Sequence, residues 1–335
     1  MKSAIKMPQY SAEMFLRKSY ELLETELMYA SIDLDIYKYL KSPISLDKLE
    51  LQTGYHKRNL ELMLNALTSM NFLIKKDGKY SSTPETNYYL NSNSEMFLGD
   101  HILYWRDMTN LGDLVSLVKH GPKEKKFNDD NGSDFFDFRS MGQGARNTMY
   151  LGRVQNFISI IKRLFKVNDE FSVFDMGGGS GLLSIEIARN FPNSKAVIFD
   201  QPQVIELTTE IIKEYKMEDR VKTQSGNFVK DSFNSKYNLI IASGVLDFVG
   251  DIDVMIKKLK DSLTDDGYIF ISTHGINEEF TGPKTYILGW LASHLNGLNI
   301  LKPDSTVKKA IKNAKLEIVL KDESGLRYVV RKKRE

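Results

Sequence analysis

At 335 residues the chain is longer than one compact core usually needs, so two domains are expected. Its 46 basic and 44 acidic residues leave a formal charge of +2, too weak a field to attract a phosphate backbone; 41% hydrophobic and 27% charged residues is the make-up of a soluble globular protein. The absence of cysteine removes disulfide frameworks, thiol nucleophiles, thiolate zinc sites and cysteine-ligated iron–sulfur clusters.

Met1 to Tyr10 holds Lys2 and Lys6 but no apolar run and no small-residue cleavage site, so no signal peptide is expected. No apolar stretch approaches the roughly 20 residues that span a bilayer, so the cytoplasm is the expected location and no membrane partner is expected. From Phe15 to Leu40, apolar side chains recur at helical steps: Phe15, Tyr20, Leu23, Leu27, Ile32, Ile36, Tyr39 and Leu40. Ser45 can cap a short helix that runs through Leu51 and ends at Gly54. The next helix is predicted over Lys57–Met70, with Leu60, Met63, Leu64, Leu67 and Met70 on its apolar face. Phe72–Lys75 and Lys79–Ser82 read as strands joined at Asp77-Gly78, a pair suited to a tight hairpin turn. Three helices and a ribbon make a winged-helix pattern. The helix that would enter a DNA groove offers only Lys57 and Arg58 ahead of its apolar stripe, and the ribbon adds Lys75, Lys76 and Lys79. Packing or dimerisation is the expected role, and nucleic acid is not an expected partner.

Residues 97–165 read mostly as helix, broken by a polar, Gly- and Asp-rich stretch from Lys119 to Ser133. They are expected to link the halves and line a substrate cavity. Beyond them, short apolar runs at Ser172–Met176, Lys195–Phe199, Tyr237–Ala242 and Tyr268–Ser272 suit buried parallel strands. Amphipathic segments at Leu182–Asn190, Val204–Tyr215 and Val254–Leu263 alternate with them. The alternation predicts an α/β, doubly wound sheet with ligands at the strands' carboxyl ends.

The first of these strands runs straight into Gly177-Gly178-Gly179-Ser180-Gly181, and a helix follows at once. Glycines let the chain turn sharply and let a ligand approach the backbone. The second strand ends at Asp200, 19 residues after Gly181, where an acid can accept both ribose hydroxyls of an adenosine. A P-loop reading fails because no Gly-Lys-Ser/Thr closes the loop. A dinucleotide reading fails because G-x-G-x-x-G is not met. The spacing is G-x-G-x-G with Asp175 ahead of it, the form that binds S-adenosylmethionine in methyltransferases.

The carboxyl-terminal half resembles the small-molecule O-methyltransferases of the plant caffeate and animal acetylserotonin type, which have bacterial members. The likeness is carried by Phe174-Asp-Met-Gly-Gly-Gly-Ser-Gly181, Phe199-Asp-Gln-Pro-Gln-Val-Ile205, Gly226-Asn227-Phe228 and Ser243-Gly-Val-Leu-Asp-Phe248. In the other half Tyr80-Ser-Ser-Thr-Pro84, Tyr89-Leu90 and Gly99-Asp-His101 resemble the family's wing and the chain's exit from it. The resemblance implies a Rossmann-like class I methyltransferase domain (166–335), an N-terminal, mostly helical winged-helix dimerisation domain (1–100) and a helical linker (101–165), assembled as a homodimer. It implies S-adenosylmethionine as cofactor, S-adenosylhomocysteine as product, a small aromatic or hydroxylated acceptor and no metal. Gly177, Gly179 and Gly181 would line the methionine and ribose end, Asp200 the ribose hydroxyls, and Asn227 and Phe228 the adenine, with Gln201 and Ser243 as neighbours. Met149 and Tyr150 fall about where the family places a substrate-facing methionine. Arg146 and Arg153 are candidates to pair with an anionic substrate group.

The sequence departs from the family at the base. Where the family has histidine in a Leu-His-Asp-Trp element, this chain has Asp247, and Thr273 stands where the next acid is expected. Free aspartate titrates about three units below histidine, so Asp247 serves as a base only if burial raises its pKa. His274 is the nearest remaining imidazole. Asp247 as base, His274 as base, and proximity without a base all stay open. O-methylation is the default; N- or C-methylation, a non-methylating relative that keeps the cofactor, and a ligand-sensing winged-helix regulator are the alternatives.

Overall fold

The computed structural model describes residues 8–122, 136–233, 235–322 and 325–333. The positions of Lys2 and Lys6, and residues 123–133 of the polar stretch, lie outside the described residues. The chain divides into two compact units, Met1–Leu103 and Tyr104–Glu335.

The first unit contains α1 (Glu13–Asp33), β1 (Ile44–Ser45), α2 (Leu46–Thr53), α3 (Lys57–Ser69), β2 (Leu73–Lys76), β3 (Lys79–Ser82) and α4 (Pro84–Leu90). Local chemistry fixes its joints. The Ser45 hydroxyl accepts the Lys48 N–H at the start of α2, and Gly54 ends that helix at φ +70°. Asp77 and Gly78 both take positive φ, so the two-residue turn matches the twist of its strands, and β3 sits between β1 and β2. Leu49, Leu60, Leu64, Leu67 and Tyr80 form the core. In α1, by contrast, Met14, Phe15, Leu16, Tyr20, Leu22 and Leu23 are each exposed.

The second unit follows α5 (Gly99–Met108) with α6 (Leu114–His120), α7 (Phe138–Met149) and α8 (Arg153–Ile161). The alternating region is β4 (Ser172–Met176), α9 (Leu182–Asn190), β5 (Lys195–Asp200), α10 (Pro202–Glu214), β6 (Val221–Ser225), β7 (Tyr237–Ser243), α11 (Ile252–Asp261) and β8 (Leu263–Ser272). Two short helices, α12 (Lys284–Gly289) and α13 (Leu291–Leu295), precede α14 (Asp304–Asn313), β9 (Leu316–Lys321) and β10 (Arg327–Lys332). No helix among the described residues is long and apolar enough to cross a membrane.

The seven-stranded sheet has the order β6-β5-β4-β7-β8-β10-β9, parallel from β6 to β8 and closed by an antiparallel hairpin. Side chains alternate between its faces. Leu239, Ile241 and Phe270 pack beneath α8, α9 and α10, while Ile240, Ala242 and Ile271 pack beneath α11 and α14. The chain leaves β4 toward β5 and β6, then returns to β7 on the other side. That reversal opens a crevice at the carboxyl ends of β4 and β7.

Candidate active site

The glycine loop crosses this crevice. Gly177, Gly179 and Gly181 all have positive φ, and the Gly177 N–H donates to Phe199 O at 2.8 Å. Two of these glycines have different reasons to be glycine. A Cβ on Gly181 would stand 2.8 Å from Ile198 Cδ1 and 3.0 Å from Thr208 Cγ2, so there packing as well as φ forbids a side chain. A Cβ on Gly179 would meet nothing within 4 Å. The loop is therefore tight below and open above, a cradle facing free space.

Asp200 closes the loop from β5. Its Oδ2 accepts the Gly179 N–H at 2.9 Å and its Oδ1 the Gln201 N–H at 2.8 Å. Burial pushes its carboxyl up, and the two N–H groups oppose that shift. Thr208, which carried no signal of its own in the sequence, donates to Gly179 O at 2.6 Å from α10. The Gln201 side chain accepts from Gln203, and Asn227 Oδ1 accepts the Val229 and Lys230 N–H groups of its own turn. Phe228 packs against the core beneath α11.

Asp175 lies under the loop, 2% exposed, and accepts from Ser184 Oγ at 2.8 Å. Burial pushes its carboxyl up to about 7, the Ser184 bond lowers it, Asp200 raises it and Arg153 lowers it. The folded state thus keeps a proton that the unfolded chain, at the ordinary 3.8, gives up. The associated stability is fully present below pH 3.8 and is lost as pH rises through 7, by at most about 1.4 kcal/mol per pH unit. Asp175→Asn should flatten this dependence: its melting temperature falls less than the wild type's between pH 5 and 7.5. Parallel curves would contradict the raised carboxyl.

The structure brings Asp247 and His274 together. Asp247 sits in the helical turn Leu246–Phe248 after β7, and His274 lies just past β8. Asp247 Oδ2 is 2.8 Å from His274 Nδ1 and accepts the His274 backbone N–H at 3.4 Å. The aspartate side chain is 3% exposed and the histidine side chain 28%, so the imidazole is the partner that faces outward. Lys302, which carried no signal in the sequence either, donates to the Asp247 carbonyl at 3.0 Å and fixes the turn. Tyr286 and Trp290 stand edge-on to His274 at 5.1 and 5.4 Å, and Trp290 continues into an aromatic cluster with Phe136, Phe138 and Phe248. His294 is a packing residue whose Nε2 accepts the Leu301 N–H.

Arg153 also reaches this crevice, donating from Nη2 to Ser243 Oγ at 2.7 Å beside Gly244. Among the described residues no ion pair meets its charge; Asp175 and Asp247 act on it through space. The structure does not bring Arg146, Met149 and Tyr150 to the Asp247–His274 pair. Arg146 pairs with Glu214, Met149 packs in the core under α9, and the Tyr150 hydroxyl donates to Glu186 at 2.9 Å. The Tyr150 hydroxyl and the Arg146 guanidinium each have a partner within the chain, Tyr150 in the buried Glu186 and Arg146 in the exposed Glu214.

A family model described as an O-methyltransferase domain matches residues 111–289. The 3-hydroxy-5-methyl-1-naphthoate 3-O-methyltransferase of Streptomyces sahachiroi is 23% identical over 271 residues, covering 78% of this chain and 77% of that protein. The bacteriochlorophyllide d C-20 methyltransferase of Chlorobaculum tepidum is 23% identical over 290 residues, covering 80% and 81%. The solved structure of human N-acetylserotonin methyltransferase in complex with SAM shares the fold, with a TM-score of 0.78 over 98% of this chain and 100% of that one at 18% identity.

Proposed function

Because the chain belongs to the O-methyltransferase domain family and is an S-adenosylmethionine-dependent methyltransferase, we propose that it methylates the hydroxyl of a small aromatic acceptor, with His274 as base and Asp247 as its orienting carboxylate. The observation that carries this reading is the 2.8 Å contact between Asp247 and His274 Nδ1. Asp247 fixes the proton on Nδ1, which leaves Nε2 as the lone pair that takes the acceptor's proton. The edge-on aromatic cluster beside His274 supports a flat acceptor.

The residues around the loop fit the cofactor: Gly179 is open where a ligand's backbone contact falls, and Asp200 is a buried carboxylate at the end of β5. When bound, S-adenosylmethionine supplies a sulfonium methyl, the electrophile. Gly177, Gly179, Gly181 and Asp200 would hold its methionine and ribose end, with Gln201, Asn227 and Phe228 near the adenine. Arg153, held by Ser243 and unmatched by an ion pair among the described residues, would take the methionine carboxylate in preference to an acceptor group. Arg153→Met is expected to raise KM for S-adenosylmethionine roughly 10- to 100-fold with a smaller effect on kcat; a change confined to the acceptor's KM would return Arg153 to the substrate side.

The first unit is read as a winged-helix dimerisation domain. The exposed apolar side chains of α1 support a homodimer, and the engagement of Lys57 by Asp47 and Glu50 supports a role without nucleic acid. The cytoplasm is the proposed location, with no membrane partner. The C-20 methyltransferase relative favours, as a second reading, transfer to an aromatic carbon. Incubating the protein with methyl-labelled cofactor and a small-molecule extract separates the readings. A labelled aryl methyl ether is expected; a label on carbon installs the second reading, and no labelled small molecule overturns both.

A further inference from the structure

Three helices meet around one buried carboxylate behind the cofactor loop. Glu186 is 8% exposed, on α9, five residues beyond the Gly181 that starts this helix. Its Oε1 accepts both the Tyr150 hydroxyl, at 2.9 Å from the end of α7, and Arg189 Nη1 at 2.8 Å. Tyr150 also lies 3.3 Å from the Tyr215 hydroxyl of the α10 end, and Arg146 and Arg189 stand 5.6 and 5.8 Å from that ring. At the other end of α7, Arg139 faces Glu206 at 3.8 Å and Glu210 at 3.4 Å on α10. Those outer pairs are exposed and contribute little each. Glu186 and Tyr150 are the enclosed partners, where losing one leaves a costly unpaired group.

Between these two fastenings, α7 rests on the loop itself. A Cβ on Gly142 would stand 3.4 Å from Leu207 Cδ2 of α10, 3.6 Å from Ser180 N and 3.7 Å from Gly179 C, so the helix backbone packs against one side of the Gly179–Ser180 segment and leaves the Gly179 Cα face open. Thr208 of α10 holds the same segment through Gly179 O. At its carboxyl end α7 is held over this segment by the Tyr150–Glu186 bond to α9, by the Arg146–Glu214 pair to α10 and by Met149 in the core; the Tyr150–Glu186 bond is the enclosed polar fastening among them.

We propose that Tyr150 and Glu186 are positioning residues for the cofactor, holding α7 at the height over Gly179 and Ser180 that the bound cofactor requires. The inference rests on the reading of the loop as the S-adenosylmethionine site. The Tyr150 hydroxyl is engaged by Glu186, so its removal is expected to act on cofactor affinity through the position of α7.

The test is calorimetric titration of the full-length protein with S-adenosylhomocysteine, with amide hydrogen exchange at Gly179 and Ser180 alongside. Tyr150→Phe is expected to weaken binding about tenfold and speed exchange at both amides, with kcat at saturating cofactor within about twofold. Glu186→Gln, which keeps an acceptor for Tyr150, should bind within about threefold of wild type, and Glu186→Leu should match Tyr150→Phe. The double variant Tyr150→Phe/Glu186→Leu should lose no more than either single change. Wild-type affinity and exchange in Tyr150→Phe, whatever its melting temperature, overturn the inference alone. A wild-type protein that binds no S-adenosylhomocysteine overturns the cofactor reading beneath it as well.

Discussion

His274→Ala is expected to lower kcat on the order of 10²–10⁴-fold while leaving the affinity for S-adenosylhomocysteine within a few-fold of wild type. The range is what a positioned base contributes, and the glycine loop proposed to hold the cofactor is a separate construction that this substitution does not touch. Asp247→Asn should lower kcat by a similar or smaller factor. Asparagine can present its amide nitrogen to His274 Nδ1 and turn the proton to Nε2, the wrong tautomer for a base. The two losses should not multiply in the double variant, because both act through one imidazole. If Asp247 were itself the base, the aspartate substitution would be the damaging one and His274→Ala the mild one. Near-normal turnover in both variants would leave proximity alone to account for the rate.

The second large effect is on cofactor binding. Both oxygens of Asp200 already accept backbone N–H groups, from Gly179 and Gln201. An asparagine in its place would keep the shape but only one acceptor, so an amide NH₂ would face one of those donors and the charge that favours ribose hydroxyls would be gone. Each charge-assisted hydrogen bond contributes roughly 1.5–3 kcal/mol, so Asp200→Asn should weaken S-adenosylhomocysteine about 100-fold or more. A loss below about threefold would show that the ribose is held elsewhere.

How far the sequence revealed this site follows from the kind of signal each residue leaves. The glycine loop and Asp200 were legible because each needs a special backbone or a strand end at a fixed spacing. The helix Leu182–Asn190 was legible to the residue, since Gly181 caps it. β6 was not: in Val221–Ser225 only Val221 is buried, so an edge strand left no apolar run. β8 begins at Leu263, before Asp265-Asp266-Gly267, which reads as a turn; the strand runs through it because Leu263 pairs with Tyr237 across a register shift. The β9–β10 hairpin was hidden by its charged ends, among them Arg331, which pairs with Glu317, and Lys332, which bonds Asp265.

In the proposed catalytic pair the sequence showed two candidates and no relation between them. Asp247 and His274 are 27 residues apart, and only the parallel pairing of β7 with β8 sets their loops side by side. Tyr150 shows the reverse case. Its place in the chain suggested a substrate contact, and three-dimensional packing gave its hydroxyl to Glu186.

The most direct measurement is a calorimetric titration of the wild-type protein with S-adenosylmethionine. One saturable site per chain is expected, weakened by Asp200→Asn and untouched by His274→Ala. Heat no greater than dilution at millimolar cofactor would contradict the glycine loop and Asp200 as its binding site.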